Sequence, residues 1–126
     1  MRKLPGILTT ASSVLVLSGS LTLLPVTTST AGPAAGSVIE QGKSIAFDRK
    51  KGNCLACHAI EGGKLAGNIG PPLVAMKARF PDKAKLRAQI WDATKANPNT
   101  IMPPFGRHKI LSESEIDKVV EFIYSL

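Results

Sequence analysis

Two cysteines and a histidine stand within five residues, Cys54-Leu55-Ala56-Cys57-His58, and the chain has no other cysteine. Residues three and four apart share one face of a helical turn, so this spacing sets Cys54, Cys57 and His58 on one side of the backbone. Two thiols placed there can form thioethers to two vinyl groups while the imidazole reaches an iron as axial ligand. This is the C-x-x-C-H attachment pattern of a c-type haem. A zinc site takes about four nitrogen or sulfur ligands, and outside the pentapeptide the only further histidine is His108. A thioredoxin-like C-x-x-C belongs to a βαβ context, which the sequence does not show. A disulfide across so short a loop leaves His58 without a role. The motif therefore predicts one covalent haem c on Cys54 and Cys57, with His58 as an axial ligand of the iron.

The occupant of the second axial position decides what such an iron can do. Three side chains qualify: Met76, Met102 and His108. Met76 falls in an apolar helical stripe, where core packing accounts for it. His108 lies in the polar run Gly106-Arg107-His108-Lys109, where exposure is expected. Met102 sits in Asn99-Thr100-Ile101-Met102-Pro103-Pro104-Phe105-Gly106, which has no helical period. A residue before proline is pushed toward extended geometry, and the two prolines cut the freedom of the loop further. Met102 also lies 44 residues beyond His58, far enough for the chain to reach the opposite face of the group. It is assigned as the second axial ligand, with Met76 and His108 as the alternatives. An iron held by histidine and methionine has no open position for O₂ or substrate, and the thioether raises its reduction potential. That combination describes an electron carrier. An axial histidine ordinarily gives its other ring N–H to a fixed acceptor, and the proline-stiffened Gly70-Pro71-Pro72-Leu73 nominates the Pro71 carbonyl.

The elements that must position these residues come after a leader. Met1-Arg2-Lys3, the apolar run Ile7 to Leu24 and the small residues from Thr27 to Gly36 have the order of a secretory signal peptide. It is expected over 1–31, with cleavage between 31 and 36, and one cytochrome-sized domain over 37–126. A retained anchor is the other reading, because about 18 residues lie at the lower limit of a membrane span. Either reading puts the domain outside the cytoplasm, in the periplasm of a bacterium, where c-type haem is attached. Sixteen Lys and Arg less Arg2 and Lys3 leave 14 against nine acidic residues. This moderate basicity includes no Lys/Arg tract dense enough for nucleic acid.

Hydrophobic periodicity predicts an all-α domain. A first helix is expected from about Ser37 to Lys50, and a short one over Leu73 to Phe80, stopped by Pro81. A third is expected from Lys83 to Ala96 after an Asp82 cap. The last is the best specified: Ser112 and Glu115 form a capping box, Leu111 and Ile116 a staple, and Ile116, Val119, Val120 and Ile123 one apolar stripe. Gly42, in mid-helix, suggests that the first and last helices cross in contact. Trp91 offers its indole N–H to a haem propionate or is simply a packed ring. Lys77, Arg79, Lys83, Lys85 and Arg87 form either a docking face or a solvated helix surface.

Across these stretches the sequence resembles the class I cytochromes c, and among them the SoxX type, the small mono-haem subunit of the SoxAX complex of sulfur-oxidising bacteria. The resemblance is carried by residues 52–58, by Gly67-Asn68-Ile69-Gly70-Pro71-Pro72-Leu73, by Asn97 to Gly106 and by the closing helix. It implies about four helices around one covalent haem, with His58 and Met102 as iron ligands and a haem-bearing SoxA-type partner that holds the catalytic centre. It further implies that the electrons come from thiosulfate joined oxidatively to a cysteine of the carrier SoxYZ, and that they leave to a downstream acceptor. The residues add one constraint: both cysteines are committed to haem, so no thiol remains as a sulfur nucleophile and the chain contributes no catalytic residue. Pro104 and Phe105 are expected on the partner-facing side. A free-standing shuttle between respiratory complexes and a haem sensor with an open iron position are the alternative functions.

Overall fold

The computed structural model describes residues 36–126. The leader expected over 1–31 lies outside them. Helix α1 (Val38–Phe47) opens on a full capping box: Ser37 Oγ accepts from the Glu40 amide, and the Glu40 carboxylate accepts from the Ser37 amide. Periodicity alone places this helix; the Ser-x-x-Glu box is a further signal of its start, equally legible in the sequence. The helix stops at Phe47, three residues short of expectation. Asp48 turns extended and accepts from the Lys50 amide at 2.8 Å, a local bond that competes with helix continuation.

Helix α2 (Met76–Arg79) is a single turn inside the predicted Leu73–Phe80 segment. Leu73 and Val74 stay out of it because Ala75 holds a left-handed conformation at the cap, with φ of 50°. Helix α3 (Lys83–Trp91) is capped by Asp82, whose carboxylate accepts from the Ala84 amide. It ends at Trp91 rather than Ala96. Asp92 leaves helical geometry and caps a separate 3₁₀ turn, Ala93–Lys95, through the Thr94 amide and hydroxyl. Helix α4 (Glu113–Tyr124) has the predicted Ser112–Glu115 box, and Leu111, Ile116, Val119, Val120 and Ile123 are all buried.

Helices α1 and α4 cross at Gly42. A β-carbon there would stand 2.0 Å from the Lys118 carbonyl oxygen and 2.9 Å from the Phe122 β-carbon, so only glycine permits this approach. Phe47 meets Phe122 edge to face, with ring centres 5.8 Å apart. Helix α3 lies along the other side of α4, tied by Arg87 to Glu113 and Asp117 and by Lys83 to Glu121. Two members of the basic cluster thus pair within the fold. Among the described residues there is no strand, and no helix is long and apolar enough to cross a membrane. The all-α architecture, with four helices among the described residues, agrees with the fold class expected from the sequence.

Candidate functional site

The helices leave one side of the domain to three loops, and these line a cavity of about 640 Å³. That volume lies within the range of cofactor pockets, about 300–1,000 Å³. One wall is the cysteine segment. Asn53 adopts a left-handed conformation with φ of 47°, which asparagine tolerates better than most residues, and it launches a 3₁₀ turn over Cys54–Ala56. The Cys57 and His58 amides both donate to the Cys54 carbonyl, at 3.2 and 2.9 Å. This turn brings Cys54, Cys57 and His58 to the same cavity.

Both cysteines are free and half-buried. Burial pushes the Cys54 thiol up to about 11, so at neutral pH it is neither a ready thiolate nucleophile nor a ready metal ligand. Among the described residues, no group of three or more His, Cys, Asp and Glu side chains gathers to hold a metal ion.

The glycine-rich loop fixes the imidazole. His58 Nδ1 lies 2.7 Å from the Pro71 carbonyl oxygen. An N–H donated there leaves Nε2 with its lone pair, the form that ligates iron. Gly70 lies against the ring so closely that a β-carbon would stand 2.5 Å from Cε1. The loop is itself pinned: the Gly67, Gly70 and Leu73 amides donate to Leu55, Cys57 and Ala59 carbonyls at 2.7, 2.8 and 2.9 Å. Arg79 Nη1 donates to the Pro72 carbonyl at 2.8 Å, a brace that no local spacing announces.

Met102 enters the cavity lining from the third loop. Its amide donates to Thr100 Oγ1 at 3.2 Å, and Thr100 closes back on the Asn97 carbonyl at 3.0 Å. Hydroxyl-to-backbone bonds of this kind are ordinary turn chemistry, and Thr100 two residues before Met102 was the available signal. Of the other two candidates, Met76 is buried in the core and also touches the cavity, whereas His108 is exposed and lies outside the lining. Leu86, Ile90, Val119 and Ile123 complete an apolar interior. Two thiols, one imidazole with a free Nε2, a thioether and apolar walls are the donor set that a covalently attached haem requires, so the residues fit the group.

Of the two readings of Trp91 the packed ring agrees with the structure: it lies against the core, and Nε1 donates to Glu113 Oε1 at 2.8 Å. The Arg87 guanidinium, and after it this indole, hold the Glu113 carboxyl below its usual range. Phe105 is not a partner-facing loop residue. It is 7% exposed and belongs to the core, and Pro104 is buried beside it. In a loop without periodicity the sequence gives no inward or outward sign, and the large exposed hydrophobic side chains at the cavity are instead Ile69, Ile101 and Ile110, at 65%, 71% and 41%.

The family model described as cytochrome c oxidase, cbb3-type, subunit III, matches residues 39–123. An uncharacterised lipoprotein of Aquifex aeolicus (strain VF5) is 34% identical over 76 residues, 60% of this chain and 37% of that protein. The chain thus spans little more than a third of that relative's length. A chain of the crystal structure of SoxXA from P. pantotrophus superposes with a TM-score of 0.62 at 28% identity, covering 68% of this chain and 79% of that one.

Proposed function

The chain belongs to this cytochrome c family as a SoxX-like class I cytochrome c that transfers electrons, and from that premise we propose that it is the small mono-haem subunit of a SoxAX-type complex in the periplasm. One observation carries the reading: Cys54, Cys57, His58 and Met102 line a single apolar cavity. In it, Cys54 and Cys57 would hold one haem c through two thioethers, and His58 and Met102 would ligate its iron. When bound, the haem supplies a one-electron iron couple. The chain's own residues set its conditions. Pro71 keeps His58 in one tautomer and orientation, Met102 would take the remaining ligand position and exclude substrate, and the apolar walls would keep water from the iron.

The substrate chemistry then belongs elsewhere. Thiosulfate joining a carrier cysteine thiol forms an S–S bond, releases one proton and leaves two electrons. With both cysteines at the haem, this chain cannot be that carrier and takes the electrons only, from a SoxA-type partner acting on SoxYZ, before passing them to a downstream acceptor. The domain over 37–126 carries all of this, after a leader over 1–31.

The test is reconstitution. The purified holoprotein should be reduced by ascorbate yet give no thiosulfate turnover with a carrier protein. Adding a SoxA-type haem subunit should start turnover and reduce this haem. Purification from native extracts as a monomer, with reduction unaffected by such a subunit, would replace the proposal with a free-standing shuttle.

A further inference from the structure

The loop that carries Met102 is seated in the core by Phe105 and fastened to the end of α3 at Trp91. Upstream of Met102 the Asn99 and Thr100 amides donate to Asn97 and the Met102 amide to Thr100, and the Asn97 amide closes on the Ala93 carbonyl at 3.0 Å. Downstream, the Gly106 and Arg107 amides both donate to the Trp91 carbonyl, at 3.0 and 3.4 Å. Gly106 lies flat on the indole, where a β-carbon would stand 2.1 Å from Cδ1 and 2.2 Å from Nε1. The indole is in turn held by Glu113, at the start of α4, and Glu113 by Arg87 of α3. Arg107 reaches the buried Asp92 at 3.5 Å, beside the same anchor. Between Met102 and Gly106 stand only Pro103, Pro104 and the buried Phe105, a stretch too stiff to absorb a displacement at its base.

We propose that Trp91 is a positioning residue for Met102: its indole, locked by Glu113, is the platform that holds Gly106 and so keeps the thioether on the iron. The inference rests on Met102 as axial ligand. Lifting Gly106 off the indole swings the Pro103–Phe105 strut and withdraws Met102, and the iron then opens to exogenous ligands. Trp91 touches neither iron nor partner in this role and acts through Gly106.

Imidazole titration of the ferric holoprotein reads the open population, because apparent affinity scales with the fraction of molecules that are competent to bind. Met102→Ala gives the fully open limit. Gly106→Ala forces a β-carbon into the indole and should tighten imidazole binding by about tenfold, as a tenfold larger open fraction requires. Trp91→Phe keeps an aromatic platform but loses the Glu113 bond, and should shift in the same direction by less. Glu113→Gln keeps an oxygen acceptor and should stay near wild type. Gly42→Ala, which perturbs the fold away from this loop, should not tighten binding. If Met102→Ala binds as wild type does, the ligand assignment and this inference both fall. If Met102→Ala opens the iron but Gly106→Ala and Trp91→Phe do not, the positioning role alone is wrong. Should Gly106→Ala yield no holoprotein, Trp91→Phe decides. Equal tightening by Gly42→Ala would attribute the effect to general loosening and overturn the proposal.

Discussion

Replacing Gly42 with alanine sets two effects against each other, and the structure says which wins. In an exposed helix, Gly→Ala stabilises by about 0.8–1.0 kcal/mol. Here the new methyl would stand 2.0 Å from the Lys118 carbonyl oxygen, 2.6 Å from its carbon and 2.9 Å from the Phe122 β-carbon. None of these is the far end of a flexible side chain, so no rotamer change relieves the clash and the two helices must separate. Overpacking of a fitted core costs about 1–3 kcal/mol. A backbone obstruction at the main helix crossing belongs at or above the upper end. Subtracting the propensity gain leaves a net loss of roughly 2 kcal/mol. For a domain of this size that lowers the melting temperature by about 8–16 °C. Calorimetry and urea unfolding of the holoprotein measure it directly. A variant that is more stable than wild type by the propensity increment would mean that α1 and α4 do not cross at Gly42, and the packing argument would fail with it.

Other outcomes are set by the same structure. Met102→Ala should convert a low-spin iron to a high-spin or water-ligated one and lower its potential, since the lost thioether favours ferrous iron; optical spectra and redox titration check this. Met76→Ala, at a side chain 1% exposed, should instead cost about 2–5 kcal/mol and leave the spin state alone. Glu115, held down to about 2 first by Lys51 and then by Ser112, contributes stability that is complete above its ordinary pKa of 4.5 and is lost as pH falls toward 2. Glu115→Gln should therefore lower the unfolding free energy measured in urea at pH 7, by about 1 kcal/mol for so solvent-screened a pair, and converge on wild type near pH 2; a gap unchanged across that window would contradict the assignment. Phe105→Asp should prevent folding, because it buries an unpaired charge, whereas Ile101→Asp should fold normally and weaken binding of a SoxA-type subunit; an unaltered complex would remove Ile101 from the interface.

What could be read from the sequence divides along a physical line. The clustering of Cys54, Cys57 and His58 on one turn, the α4 stripe and the Gly42 crossing were legible because each rests on a local pattern or on a single residue of special size. The helix ends were less so. Asp48 and Asp92 both stop helices by turning their carboxylates onto amides two residues ahead, and an aspartate in a polar stretch reads equally well as a solvated helical residue. Ala75 gives no sign that it will adopt φ of 50°. Phe105 was misplaced, and the partner of the Trp91 indole left unnamed, for a different reason: the inward turn of a loop side chain has no period, and Glu113 stands 22 residues beyond Trp91, which spacing does not encode.

The division of labour between helices and loops explains why one fold can serve such a centre. The helices contribute apolar side chains to the cavity, Leu86 and Ile90 from α3 and Val119 and Ile123 from α4, while Cys54, Cys57, His58 and Met102 all come from the segments between them. Electron transfer rewards a site whose geometry hardly changes between oxidation states, and loops are ordinarily the mobile part of a protein. This chain resolves the conflict by bonding its loops to fixed backbone at short intervals. Gly52 donates to the end of α1, Leu73 to Ala59, and Gly106 to the end of α3, all within 2.9 to 3.1 Å. Proline pairs stiffen the two segments between those seams, Pro71-Pro72 beside His58 and Pro103-Pro104 beside Met102. Stability therefore resides mainly in the α1–α4 crossing, and the iron's environment in the seams. Substitutions at the crossing should move melting temperature without moving the optical spectrum, whereas substitutions at a seam move both.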